Sequence, residues 1–375
     1  MKSSPILNDR LALTFLCFLI SASLLENIID GARYLKYAAA PLAIIFWITM
    51  GCKKPTQKSS AVYWFTLYTC WTTFTLIWGD LTTGPKDIIF TLSYVLPVLL
   101  FKSDNLKLET IFFIYTTLSA ISIIGHQSSA FSLADSSALY ESSNSFVFGG
   151  FLVAFLLKKK KFLAITSLIL LFITLKRISL LGVMICFFII VSPAYLKKAL
   201  ASSQAILLGN IAALLIIIST ATGTTNNIIE DLTGKGIAEF SLGRNYHYIG
   251  VVSDMVANPA NLIFGNGAGS AYSKAIIDPR VSENPNLHSD TLKILYECGL
   301  IFFLLFFYRS SKNQNFSQNT LLIYISILFI TDNTLIYSGV MFFLLILLES
   351  MKSQTSTAKV KLAPHPKDTV RTQAP

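Results

Sequence analysis

The sequence predicts an all-α polytopic membrane protein with about 12 transmembrane helices and one large periplasmic loop between spans 9 and 10. Three observations carry that prediction. Apolar runs of 14 to 20 residues, rich in Leu, Ile and Phe, recur along the chain, close to the length a helix needs to cross about 30 Å of hydrocarbon. Only 13% of the 375 residues are charged while 53% are hydrophobic, against roughly 25% charge in a soluble domain; the mean hydropathy is +0.60. Basic residues also concentrate on alternate connections, as the positive-inside rule requires of a chain woven through a bilayer. The apolar runs are continuous rather than alternating, which excludes an outer-membrane β-barrel.

Taken in order, the expected spans cover about 11–25, 34–51, 60–78, 87–101, 109–125, 144–157, 161–175, 178–195, 204–222, 291–308, 319–332 and 334–350. The first run follows Lys2 and Arg10, but no small-residue cleavage site follows Ser23-Leu24-Leu25-Glu26, so it reads as a span and not as a cleaved leader. The pairs 161–175/178–195 and 319–332/334–350 are joined by so few residues that each is expected to form a tight helical hairpin. The chain divides accordingly into spans 1–9 (1–222), a polar loop (223–290), spans 10–12 (291–350) and a Lys/Thr/Pro-rich tail (351–375) expected to be disordered.

With the N-terminus in the cytoplasm, the even-numbered connections carry Lys53, Lys54, Lys58, Lys102, Lys107, Lys158 to Lys161, Lys197, Lys198, Arg309 and Lys312. Adding Lys2, Arg10 and the tail puts 20 of the 30 Lys and Arg inside, and leaves 15 of the 20 acidic residues outside. Both termini are therefore expected in the cytoplasm of a bacterial cell, the chain in the inner membrane, and loop 223–290 in the periplasm. The net charge of +10 follows this topology, so it does not point to nucleic acid.

Against that plan, a few residues are not explained by topology. Lys176 and Arg177, in TLKRISLLG, lie in the short outer hairpin at the membrane interface, where charge marks a functional candidate. For Lys176 the alternative of snorkelling to outer-leaflet phosphates stays open. The stretch from Ser241 reads as a helix capped by Ser241 and stopped by Asn258-Pro259. It places Arg244, His247 and Val251 on one side, with Tyr248 adjacent. Arg near a helix N-terminus is poor helix electrostatics, and makes sense where an anion sits between dipole and guanidinium. The glycine cluster Gly265–Gly269 follows no strand and reads as a tight turn that lets backbone approach a neighbour, not as a nucleotide loop.

His288 precedes span 10, whose helix Ser289 or Asp290 can cap. A neutral imidazole at the membrane surface can take a proton from a hydroxyl. Glu297 lies two turns into that span, where it can pair with Lys293 at i, i+4 or help orient the site. Asp332-Asn333 reads as a hairpin turn. The serine-rich loop 126–144, with Asp135 and Glu141, reads as a flexible or partly helical outer lid. Five cysteines (Cys17, Cys52, Cys70, Cys186, Cys298) without CxxC spacing imply neither a disulfide framework nor a metal site, and His126, His247 and His365 have no clustered partners.

Together these residues resemble the bacterial O-antigen polymerase and O-antigen ligase superfamily of polytopic glycosyltransferases. The carrying features are a basic residue in a short outer hairpin (K176-R177-I-S), the loop signature SLGR…NPANLIFGNGAG, and H288-SDTLKILYECGL, in that order within about residues 140–310. Outside that stretch the resemblance is one of topology. It implies a transferase using an undecaprenyl-pyrophosphate-linked glycan as donor, with no cofactor and no metal. By residue, it implies that Arg177 and Arg244 bind the donor pyrophosphate and that His288 activates the acceptor hydroxyl, leaving Lys176, Tyr248, His247 and Glu297 as substrate-binding candidates. Membrane lipid surrounds such a protein, and a chain-length regulator protein is a further partner the resemblance leaves open.

The departures are Ser289 where Asn is frequent, KRIS in place of the SRGA-like hairpin of ligases, and a missing second glycine after Gly299. The KRIS form favours a polymerase of O-antigen, capsule or exopolysaccharide repeat units over a ligase to lipid A–core. A transporter or flippase would call for broken helices and paired charges at mid-membrane, which the sequence does not announce. A structural scaffold would leave Arg177, Arg244 and His288 without a role.

Overall fold

The computed structural model describes residues 5–51, 58–102, 106–126, 142–174, 176–234, 236, 244–275 and 287–352. These residues form α-helices and short 3-10 turns, with no strand among them. A long helix coincides with each of the twelve expected spans. They are α1 (Pro5–Ala22), α2 (Leu35–Thr49), α3 (Ser60–Thr75), α4 (Gly84–Leu100), α5 (Leu108–His126), α6 (Asn144–Leu157), α7 (Lys161–Ile173) and α8 (Arg177–Val191). After the short α9 (Ala194–Leu200) come α10 (Ser203–Ala221) and, beyond the loop, α15 (Asp290–Ser311), α16 (Phe316–Thr331) and α17 (Ser338–Ser350). The loop folds into α11 (Asn226–Thr233), α12 (Arg244–Ala257), α13 (Asn261–Phe264) and α14 (Ser270–Lys274).

Two of these helices, α10 and α15, are long and apolar enough to cross a bilayer by themselves, and six more are apolar but shorter. The surface agrees with lipid contact. On α7 the side chains of Phe162, Ile165, Ile169 and Phe172 form an exposed apolar stripe at i, i+3, i+7 and i+10, with Phe162 76% exposed. An apolar stripe of that size on the outside of a bundle fits a hydrocarbon solvent, not water. Conversely, α17 is buried from Val340 to Leu348 and α6 from Asn144 to Phe155, so these two form the centre.

Small residues allow the central helices to approach closely. A Cβ on Gly149 would fall 2.1 Å from the Tyr324 hydroxyl. That hydroxyl instead donates to Phe146 O at 2.8 Å and lies 2.7 Å from Ser179 Oγ. Ser179 Oγ in turn donates to Ser145 O at 2.8 Å, and Lys176 N donates to Ser145 Oγ at 3.2 Å. This chain of bonds ties the start of α8 to α6 and α16, so the α7–α8 hairpin is held rather than loose.

The glycine cluster is a close-approach turn, as the sequence predicts, and the neighbour it meets is a break in α15. At Gly299 the backbone of α15 turns to φ 84°, ψ 166°. The carbonyls of Tyr296 and Glu297 accept instead from Asn266 N at 2.8 Å and Gly267 N at 3.0 Å. Non-helical backbone at membrane depth is tolerated where protein groups satisfy it, and here the loop does so. Gly267 sits at φ 86°, and a Cβ there would meet Thr75 O at 2.6 Å. On its other side the loop reaches the α3–α4 turn, with Asp80 N donating to Ala268 O at 2.8 Å.

Three expectations change here. Lys293 bonds Asp87 Oδ2 of α4 at 2.5 Å, so its hydrogen-bonded partner is not Glu297; the nearest carboxylate in sequence loses to one that packing brings from 206 residues away. The broken α15 and the buried Asp87–Lys293 pair are also features that the sequence was expected to lack. Span 8 ends at Val191, because Ser192-Pro193 opens α9, which the hydropathy run to 195 conceals. The Ser241 cap, the 127–141 part of the outer lid with Asp135 and Glu141, and the tail beyond 352 lie outside the described residues.

Candidate active site

One end of the bundle gathers the start of α8, the residues leading into α15, the end of α16, the turn before α17 and the start of α12. His288 is brought there in a left-handed backbone conformation, φ 51°. Such a conformation is rare for a side-chain-bearing residue, although His is among the types that adopt it, and it concentrates at functional positions. Four hydrogen bonds fix it and the two residues that follow it. Ser289 Oγ caps α15 by accepting from Leu292 N at 3.2 Å, which decides between the two expected caps. Tyr248 Oη donates to the His288 carbonyl at 3.0 Å. Asp290 N donates to Asp332 O at 3.3 Å, and Asp290 Oδ2 accepts from Leu335 N at 2.8 Å.

Arg244 is the first residue of α12, and its Nη1 donates to the carbonyl of Thr331 at 3.0 Å. Thr331 ends α16, so the guanidinium lies at a helix C-terminus, the pole that favours a cation. This accounts for the Arg that sits poorly at its own helix start. The His247 ring lies 5.9 Å, centroid to centroid, from that of His288. Tyr248 is buried, and burial pushes its phenol well above the usual range.

Lys176 pairs with Asp332, Nζ to Oδ2 at 2.7 Å, in a largely buried bridge. Its ammonium also lies over the rings of Phe146 at 4.7 Å and Tyr337 at 5.7 Å. Asp332, expected only as part of a hairpin turn, thus belongs to this cluster. Only its acidity in an outer hairpin hinted at this, since its partner is 156 residues away. Arg177, next to Lys176, is exposed. The structure brings together Lys176, Arg244, His247, Tyr248 and His288, and leaves Arg177 at the edge.

Glu297 lies apart. It is buried two turns down α15, where Oε1 accepts from Ala271 N at 3.3 Å and Oε2 has no hydrogen-bond partner among the described residues. Its contacts are with the glycine loop, not with the residues around His288.

The electrostatics around His288 are those of a neutral imidazole. Burial, then the Arg244 guanidinium, lower its pKa from 6.5 to about 4, with His247 and Lys176 adding to the effect and Asp332 opposing it. Nδ1 is buried and has no hydrogen-bond partner among the described residues. Asp332 faces the two cations Lys176 and Arg244, with Arg177 beside them; the second carboxyl there, Asp290, is fully buried, and burial raises its pKa toward the uncharged acid. A net positive pocket next to an unprotonated imidazole can hold an anionic leaving group and accept a proton. Among the described residues no group of three or more His, Cys, Asp or Glu is placed to hold a metal ion.

Residues 162–307 match the family model described as O-antigen ligase. That match supports the resemblance to the O-antigen polymerase and ligase superfamily over this segment. The family is membrane-embedded, and its members are glycosyltransferase-like enzymes acting in surface-polysaccharide biosynthesis on lipid-linked glycan. The matched segment contains Lys176, Arg177, Arg244, His247, Tyr248, His288 and Glu297; Asp332 lies beyond it. No curated protein and no solved structure gave a significant match.

Proposed function

We propose that this chain is a polymerase that joins undecaprenyl-pyrophosphate-linked oligosaccharide repeat units on the periplasmic face of the inner membrane. The observation that carries the reading is the neutral His288 set among Arg244, Lys176 and the Lys176–Asp332 pair. The acceptor hydroxyl attacks the anomeric carbon of the donor glycan and passes its proton to His288. The bond from that carbon to the pyrophosphate oxygen breaks, and undecaprenyl pyrophosphate leaves with the electron pair. Arg244 and Lys176 stabilise the charge that develops on it, with Arg177 as the cation nearest the rim. A base opposite the leaving group gives direct displacement with inversion, and needs neither a metal nor a carboxylate nucleophile.

Donor binding also eases the part of the low basicity of His288 that neighbouring cations cause, burial being the larger part. A pyrophosphate beside Arg244 and Lys176 offsets the cations that lower its pKa, so the imidazole becomes a better base when the donor is present. Tyr248 acts through the His288 carbonyl and is a positioning residue in this scheme, as Glu297 is through the glycine loop.

The ligase reading keeps the same donor and site and differs in its acceptor; the description of the matching family favours it, and the KRIS hairpin favours the polymerase. Transport stands further off. The break at Gly299 and the Asp87–Lys293 pair remove the argument that such features are missing, but both are engaged by neighbouring protein groups, and the family match is to glycan-transfer enzymes. A deletion strain separates the readings. Lipid A–core bearing a single repeat unit means polymerisation is lost. Bare core with long glycan retained on undecaprenyl pyrophosphate means ligation is lost. An unchanged ladder with lost capsule keeps a polymerase and moves it to another polysaccharide.

A further inference from the structure

At the end of α15 opposite His288 lies a cavity of about 310 Å³, lined by Ser60, Trp64, Leu305, Arg309, Lys312 and Asn313. We infer that it binds the phosphate headgroup of an anionic phospholipid from the leaflet opposite the active site. Three observations support that occupant.

The first is charge. Among the described residues, two cations and no carboxylate line the cavity. The Lys312 ammonium lies over the Tyr308 ring at 5.6 Å, and neither it nor the Arg309 guanidinium forms an ion pair with the described residues. The nearby Glu349 is buried and turned elsewhere, accepting from Ser59 N at 2.8 Å. A helix C-terminus favours cations in any case, but it does not need a cavity between them and a neighbouring helix.

The second is form. The cavity lies between α3 and α15, which are fixed to each other by Ser60 Oγ donating to Arg309 O at 2.6 Å and by the edge-on contact of Trp64 with Phe302 at 6.4 Å. Its floor is therefore built, with polar groups on one side and Trp64 and Leu305 on the other. Leu305 is 41% exposed, and Ile301, one turn along the same face of α15, is 51% exposed. An acyl chain can follow that strip while its phosphate meets Arg309 and Lys312. A soluble anion would have no use for it.

The third is depth. Arg309 is in the last turn of a 22-residue helix that begins beside His288. Its two segments, on either side of the break at Gly299, add up to roughly 30 Å of helix, comparable with the hydrocarbon core. The cavity thus lies at the opposite membrane surface, on the side that the basic residues are expected to make cytoplasmic. Basic pockets between helices at that surface suit anionic headgroups.

The test compares full-length wild type with Arg309→Gln/Lys312→Gln and Arg309→Lys/Lys312→Arg, each purified in a zwitterionic detergent. Phosphatidylglycerol is titrated in and retention is read by native mass spectrometry. We expect wild type and the charge-keeping variant to retain it. The Gln variant should lose affinity on the order of 30-fold, as two cations near an anionic headgroup predict. Phosphatidylcholine should bind weakly to all three, and millimolar inorganic phosphate should not displace phosphatidylglycerol. Equal retention by the Gln variant would overturn the inference. So would equal retention of phosphatidylcholine, which would make the cavity an apolar groove, or displacement by inorganic phosphate, which would make it a soluble-anion site. Unchanged helix content and melting temperature of the Gln variant separate lost binding from lost fold.

Discussion

At the scale of single residues, the proposed chemistry depends on a neutral His288 and on the burial and charges that keep it so. In the proposed mechanism its imidazole acts unprotonated, and a pKa of about 4 in the free protein predicts an acid limb of kcat/KM near that value. The kcat profile reports the donor complex, where bound pyrophosphate offsets Arg244 and Lys176, so its acid limb should lie at higher pH. Identical limbs in the two profiles would contradict the coupling. The sign for stability is the same: a histidine whose folded pKa is depressed costs stability as pH falls from about 6.5 through about 4. Lys176 gives an independent prediction. Asp332→Asn leaves its ammonium largely buried without a carboxylate, at a cost of about 3 kcal/mol. Adding Lys176→Met should recover most of the loss in melting temperature; a wild-type melt for Asp332→Asn would contradict the pairing.

At the scale of elements, the polar loop is fastened to the membrane helices by backbone as much as by side chains. The break at Gly299 frees carbonyls that Asn266 N and Gly267 N satisfy, and the loop then bridges α15 to the α3–α4 turn. Gly267→Ala requires a positive φ of 86° and brings a Cβ 2.6 Å from Thr75 O, so the loop cannot seat as it does now. We expect a cost of about 1–3 kcal/mol and faster proteolysis of the loop in membranes; wild-type protection would contradict the clamp. This is also where the sequence was least legible. Continuous apolar runs located a helix at each of the twelve expected spans. Residue type, position and family resemblance singled out His288 and Arg244. The partners of Lys176, Lys293 and Glu297 come from other helices, 156 and 206 residues away for the first two, and no local spacing encodes them. Asp332 was invisible for that reason, and a tight turn was the natural reading of Asp-Asn.

At the scale of the whole molecule, the chain is a bundle with an apolar outside and two polar ends, the site at one and the basic cavity at the other. The expected topology is open to direct labelling. In a background stripped of the five native cysteines, Ser273→Cys in the loop should react with an impermeant maleimide in intact spheroplasts, and Asn313→Cys only after permeabilisation. The reverse pattern would invert the protein and remove the donor from the site. The central claim, that the cluster around His288 transfers glycan from a lipid pyrophosphate, is tested most directly by reconstitution. Purified protein is given undecaprenyl-pyrophosphate-linked repeat units, and glycan length and released undecaprenyl pyrophosphate are followed together. Wild type should yield a ladder with one lipid pyrophosphate released per linkage, His288→Ala no ladder, and Arg244→Ala a rate lower by about 10²–10³-fold, each variant folded. A normal ladder from folded His288→Ala and Arg244→Ala would contradict the account.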